Sequence, residues 1–286
     1  MLSRTRIALN RIIRPNLDLD HFLALASDLG LSMVELRNDL PGGRITDGME
    51  PRRVCGLADR YGVRIVSINA LQKFNLVDNL PAAVEELKGL LELSAAIHCP
   101  AVVLCPLNDQ DDRRDPQQSF EQTVGCLRAF HPIFVDAGVL GYIEPLGFAE
   151  SSLPSLLTAQ AAIRESKAPC FRLVYDTFHH FIGPDSPEEL KTELDMGLVG
   201  LVHASGVEAD LPGKRYRDGH RGLITDADRF RNVEQISLLL DRGYTGPISL
   251  EPFASEIQNL PRARFIQALS RSLDLLCRAD EQYLTE

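Results

Sequence analysis

The 286-residue chain has no C-x-x-C pair, no glycine-rich nucleotide fingerprint, no long apolar run and no excess of positive charge. Each absence removes a class of function. Its six cysteines (Cys55, Cys99, Cys105, Cys126, Cys170 and Cys277) are scattered. That pattern fits reduced thiols filling small core positions and argues against a disulfide framework or a structural zinc site. Nothing approaches the roughly 18 apolar residues that a membrane helix needs. The opening "MLSRTRIALNRIIRP" lacks the apolar core and cleavage site of a secretory signal, so a complete cytoplasmic chain is expected. A formal net charge of −10 and a pI near 5.2 speak against nucleic acid or an anionic membrane as partner.

What is present is an alternation. Short runs rich in Val, Ile and Leu recur from end to end: "RIALNRI" from Arg6, "SMVEL" from Ser32, "VRIVSIN" from Val63 and "AVVLCP" from Ala101. "LGYIEP" from Leu140, "FRLVYD" from Phe171, "GLVHAS" from Gly200 and "PISLEP" from Pro247 complete the set of eight. Near-continuous hydrophobicity marks parallel strands covered on both faces. Helical patterns lie between them, one opening on Asp18 and another near Pro81. The helix around Pro132 is expected to kink or split there. Gly30, Gly62, Gly138 and Gly243 punctuate helix-to-strand junctions. Eight such units in one chain, with no break in composition, predict an α/β fold: a single (β/α)8 TIM barrel domain over residues 1–286. The other architecture with this alternation, an open doubly wound sheet, would be expected to carry an early glycine fingerprint.

In a barrel, side chains at the C-terminal strand ends converge on one mouth. The last four strands end in Glu144, Asp176, His203 and Glu251. Isolated charges in such places are costly to bury unless they are paired or bind a metal. One of them alone could cap a helix or meet an arginine; four in succession point to a metal site. Three carboxylates and one imidazole suit Mn2+, Mg2+ or Co2+, and Zn2+ is also accommodated. The first four strand ends offer Asn10, Glu35, Arg37, Asn69 and Gln72 as hydroxyl-reading groups, with Glu35 and Asn69 foremost, while Phe74 is expected in the core.

The motifs "IEP", "YDTFHH", "VHASG" and "LEPF" resemble the xylose isomerase-like barrels, a superfamily of sugar isomerases and epimerases. It includes ketose 3-epimerases, inosose isomerase and inosose dehydratase, with endonuclease IV as a distant relative. The resemblance implies that Glu144, Asp176, His203 and Glu251 bind one divalent metal, Mn2+ first. It implies that Glu144 and Glu251 also act as the acid/base pair. It places Glu150, His179 (the histidine of D-x-x-H) and Arg217 at the substrate, Arg217 standing in a loop that also offers Arg215 and Arg221. His180 takes no role by this resemblance and is expected behind the site or at the surface.

The expected function is therefore metal-dependent isomerisation or epimerisation of an α-hydroxyketone, an inosose or a ketose, through an enediolate. An inosose dehydratase-type lyase is the alternative on the same site. The expected partner is a small sugar or cyclic polyol, and a homo-oligomer, dimer or tetramer, is compatible with long loops at 38–50 and 107–118. "DGH" at 218–220 raises endonuclease chemistry, but strands three and four end in Asn69 and Cys105 where that enzyme takes histidines. His220 is then expected to contact substrate or gate the mouth. A two-metal hydride-shift isomerase would need a lysine near the substrate, and Lys73 and Lys214 stand in loops away from the ligand motifs. A barrel that only binds a polyol would have little use for a complete ligand set.

Overall fold

The eight apolar runs form eight parallel strands: β1 (Ile7–Asn10), β2 (Met33–Arg37), β3 (Arg64–Leu71), β4 (Ala101–Leu104), β5 (Leu140–Ile143), β6 (Phe171–Asp176), β7 (Val199–Ala204) and β8 (Ile248–Leu250). In the computed structural model, which describes residues 2–212 and 215–278, each strand pairs with its sequence neighbours, and β1 pairs with β8 to close the barrel. The open-sheet alternative is thereby excluded.

Between strands run α1 (Leu19–Asp28), α2 (Pro51–Tyr61), α3 (Leu80–Ala96), α4 (Pro116–Ala137) and α5 (Leu156–Ser166). The second half adds α6 (Thr177–Ile182), α7 (Pro187–Glu193), α8 (Asn232–Asp241), α9 (Ser255–Gln258) and α10 (Arg262–Cys277). Local chemistry sets their ends. The Asp18 carboxylate accepts from the His21 N–H at the start of α1, and Asp115 forms a capping box with Gln118 at the start of α4. Gly62 and Gly138 close α2 and α4 in the left-handed region, with φ of 63° and 65°, where a Cβ would be strained.

Pro132 does not split α4, which runs unbroken from Pro116 to Ala137. It lies on the exposed face of that helix, where water can satisfy the carbonyl that its missing N–H leaves unpaired.

Two apolar layers result. Leu9, Val34, Leu36, Ile68, Val102, Leu104, Ile143 and Leu173 point outward and pack under the helices with Phe22, Phe130, Phe134 and Phe265. Phe74 belongs to this core, as expected. Ala101, Val103, Tyr142, Val174 and Leu201 plug the barrel interior. Strand side chains alternate with period two, so the residue two places beyond each interior plug also faces the axis. Tyr142 leads to Glu144, Val174 to Asp176, Leu201 to His203 and Val103 to Cys105. The register sets Asp176 directly beside His203 and His203 beside Ser249. No helix among the described residues is long and apolar enough to cross a membrane.

Candidate metal centre

At the C-terminal mouth, one donor atom from each of Glu144, Asp176, His203 and Glu251 falls within 4.8 Å of the others, and all four residues are buried. His203 lies at the middle. Its Nδ1 is 2.8 Å from Glu144 Oε1, 3.3 Å from Glu251 Oε2 and 3.9 Å from Asp176 Oδ2. Its Nε2 points the other way and lies 3.0 Å from Glu35 Oε2. That contact is close but departs from hydrogen-bond geometry, so it counts as an ion pair.

The stretch "YDTFHH" acquires its meaning here. Asp176 is the last residue of β6 and the N-cap of α6. Its Oδ1 accepts from the backbone N–H groups of Phe178 (2.7 Å) and His179 (3.1 Å), which fixes the carboxylate and leaves Oδ2 facing the cluster. The turn that α6 starts brings His179 back over the mouth. Gly147 N–H donates to His179 Nδ1 at 3.2 Å, so the neutral ring carries its proton on Nε2. Desolvation lowers the His179 pKa and favours that neutral form, against the pull of Asp176. Gly147 is the residue the close approach requires: a Cβ there would come within 2.0 Å of the His179 carbonyl oxygen.

Two guanidinium groups frame the acids. Arg221 Nη2 donates to Asp176 Oδ2 and to Glu251 Oε2, both at 2.6 Å. Arg37 donates to Glu251 Oε1 and holds Asp39 with a bidentate fork. Asn10 and Asn69 add donors to the same Glu251 Oε1 at 3.0 and 3.2 Å. Glu144 is less embraced: beyond His203, the Cys105 thiol donates to its Oε2 at 3.4 Å. Burial and the Glu144 carboxylate hold that thiol well above the ordinary range, so it stays protonated.

The charges shift one another strongly. Burial opposes ionisation of Asp176, but Arg221 and then His179 and His203 overcome it and pull the carboxyl down to about 2. Burial likewise opposes Glu35, and His203 with Ser249 and Ser67 brings it down to about 2. Desolvation opposes the His203 imidazolium, yet Glu251, Glu35 and Glu144 outweigh it and hold the ring well above its usual value. A dense, preformed nest of anions around one nitrogen is a donor set that fits a divalent cation. Glu35 on the far ring nitrogen fits the carboxylate that commonly orients a ligating histidine.

The other expected positions separate into groups. Glu150 and Arg217 meet at the rim, 3.3 Å apart, and the Arg217 guanidinium lies over Phe148 at 5.4 Å. His220 Nδ1 accepts from Arg217 N–H at 2.9 Å and so closes the turn at 218–220. Glu35 has no solvent exposure and sits behind His203, between Ser67 and Asn10. Its place is that of a residue that orients the imidazole and does not face the opening. Asn69 reaches Glu251, as above. Gln72 and Lys73 are exposed, and Lys214 lies outside the described residues. His180 packs against Tyr175 on the outer side of α6, with ring centroids 5.4 Å apart. Two contacts were not singled out by sequence. Arg221, one of three arginines in an aperiodic loop, is the one that touches the acids, and Cys105 ends β4 in the same inward register as Glu144.

The model of the xylose isomerase-like TIM barrel family matches residues 23–275. The inosose isomerase of Halalkalibacterium halodurans is 26% identical over 208 residues, covering 69% of this chain and 70% of that protein. A crystal structure of a xylose isomerase domain-containing protein from Salmonella typhimurium LT2 superposes with a TM-score of 0.89 at 36% identity, covering 96% of this chain and 98% of that one. The structure of IolI protein with a bound zinc atom superposes with a TM-score of 0.86 at 21% identity, over 96% of this chain and 99% of its own. The strand order, the closed barrel and the family match together make this chain a member of the xylose isomerase-like TIM barrel family.

Proposed function

We propose that the chain is a divalent-metal-dependent sugar or polyol isomerase or epimerase acting on an α-hydroxyketone, an inosose or a ketose. The observation that carries this reading is the convergence of Glu144, Asp176, His203 and Glu251 within 4.8 Å at the barrel mouth. The 26% identical inosose isomerase supports the class of substrate.

A divalent cation held by these four residues would supply Lewis acidity to the neighbouring carbonyl and hydroxyl oxygens of such a substrate, acidifying the C–H of the hydroxyl-bearing carbon next to the carbonyl. The residues of the chain do the rest. Glu144 and Glu251 project from β5 and β8, and each offers a carboxylate that can take or return a carbon-bound proton. His179, neutral with its proton on Nε2, is a hydrogen-bond donor for a substrate oxygen. Glu150 and Arg217 at the rim are placed to read the distal hydroxyls. Loss of the proton leaves an enediolate. Reprotonation at the adjacent carbon moves the ketone, whereas reprotonation at the same carbon from the opposite face inverts the centre.

The test is proton exchange. Protein loaded with Mn2+, incubated in D2O with inososes and simple ketoses, should wash deuterium into the position α to the carbonyl, followed by NMR. A shifted ketone supports the isomerase, an inverted centre an epimerase and loss of water a lyase. No exchange with any of these substrates would overturn the proposal.

A further inference from the structure

Arg221 touches two of the four converging residues at once, and it does so on the oxygens that face His203. Its Nη2 is 2.6 Å from Asp176 Oδ2 and 2.6 Å from Glu251 Oε2. Those oxygens are themselves 3.9 and 3.3 Å from His203 Nδ1. A divalent ion drawn to this nitrogen and these oxygens must share them with a guanidinium. The guanidinium is no loose surface group. Its side chain is 2% exposed; Nε donates to Ser205 Oγ at 3.0 Å and Nη1 to Asp218 Oδ1 at 3.3 Å. Its guanidinium carbon lies over the Phe253 and Phe178 rings, 4.7 and 5.0 Å from their centroids. Arginine keeps its charge at any working pH, and like charges a few ångströms apart in a poorly solvated site repel strongly.

Arg37 offers an internal comparison. It bonds the other oxygen of Glu251, Oε1, and spends its fork on Asp39. Arg37 therefore neutralises Glu251 without occupying the oxygens near His203, whereas Arg221 occupies them.

We propose that Arg221 is a built-in competitor of the metal. In the metal-free chain it is a permanent cation that compensates Asp176 and, together with Arg37, Glu251, which keeps a cluster of buried acids folded. In the loaded chain its charge lowers the affinity of the site, so that the ion stays exchangeable. This inference rests on the metal-binding reading of the four residues.

Calorimetric titration of Mn2+ into metal-stripped protein, with thermal melts of the metal-free form, tests it. Arg221→Met should bind Mn2+ about tenfold or more tighter than the unaltered chain. Its metal-free form should melt several degrees lower. Arg221→Lys, which keeps the charge, should remain near the unaltered chain in affinity. Should the methionine variant not fold without metal, Arg221→Gln carries the test, with the same tightening expected. A folded Met or Gln variant whose Mn2+ affinity is unchanged or weaker overturns the competitor role while leaving the metal site standing. Failure of the unaltered chain to take up Mn2+, Co2+, Mg2+ or Zn2+ would overturn the metal site itself.

Discussion

His203 Nε2 and Glu35 Oε2 stand 3.0 Å apart, on the side of the imidazole away from the other three acids, and neither side chain is exposed to solvent. The pair fixes the ring so that Nδ1 faces the cluster. Glu35→Gln should therefore lower metal affinity by about 10- to 100-fold, the usual cost of losing the partner of a ligating histidine. His203→Ala should lower it further, because a donor is lost. Metal content after dialysis checks both; unaltered content in His203→Ala would remove this residue from the ligand set.

The two glutamates differ in what they hold. Glu251 accepts from Asn10, Asn69, Arg37 and Arg221, while Glu144 accepts from Cys105 and pairs with His203. Glu144→Gln and Glu251→Gln are both expected to slow deuterium exchange by about 10²–10⁴-fold. Their stabilities should diverge. Glu251→Gln strips a carboxylate from two buried guanidinium groups, and breaking such a pair costs about 3–5 kcal/mol. Chemical denaturation of the two variants should show the larger loss at Glu251, and equal losses would contradict the hydrogen-bond pattern.

The pH dependence has opposite signs at the two ends of the scale. In the metal-free chain the His203 imidazolium is held well above its usual range by Glu251, Glu35 and Glu144, against desolvation. Its contribution to stability is complete below the ordinary histidine value and lost as pH rises through the elevated one. A metal needs the neutral ring, so affinity should increase with pH across neutrality, with release of about one proton per ion. Titrations in buffers of different ionisation enthalpy count that proton. At the acid end, Asp176 and Glu35 are both depressed to about 2. Their contribution is complete above the ordinary carboxylate range and disappears as pH falls from there towards about 2.

At Gly147 the constraint is steric. An added Cβ would meet the His179 carbonyl oxygen at 2.0 Å and the Gly183 nitrogen at 2.9 Å. Gly147→Ala should cost about 1–3 kcal/mol and displace His179 from the mouth. A melt unchanged from that of the parent chain would refute the contact.

At the rim, Arg217 is 58% exposed and its 3.3 Å pairing with Glu150 is partly solvated. Glu150→Ala should shift stability by less than about 1 kcal/mol. Its effect should fall on KM for the sugar more than on kcat, and steady-state kinetics would reveal the opposite if Glu150 acts in the chemistry.

Much of this architecture could be read from the chain because short, nearly unbroken apolar runs alternating with helical patterns mark buried parallel strands, and a charged residue that closes such a run stands out. Val174 followed by Asp176, and Leu201 followed by His203, declare one inward face without any tertiary knowledge. The relation of Glu35 to His203 was not legible, because β2 and β7 are neighbours only across the barrel interior. Arg221 was hidden for a different reason. It stands in a long loop with no periodicity, beside Arg215 and Arg217, and only three-dimensional closure distinguishes the buried arginine from the exposed ones. Helix α6 escaped because six residues are too few to show an amphipathic repeat, and its cap is the same aspartate that ends β6. Pro132 misled in the other direction, since a proline on the exposed face of a helix can leave its freed carbonyl to water while the helix runs on unbroken.

The alternation along the last four strands also sets a reading frame for any attempt to redesign the protein. Inserting or deleting one residue within β6, β7 or β8 would turn Asp176, His203 or Glu251 from the axis into the greasy layer beneath the helices. Loops at the rim carry no such parity, while the staves of the barrel tolerate changes of length only in pairs.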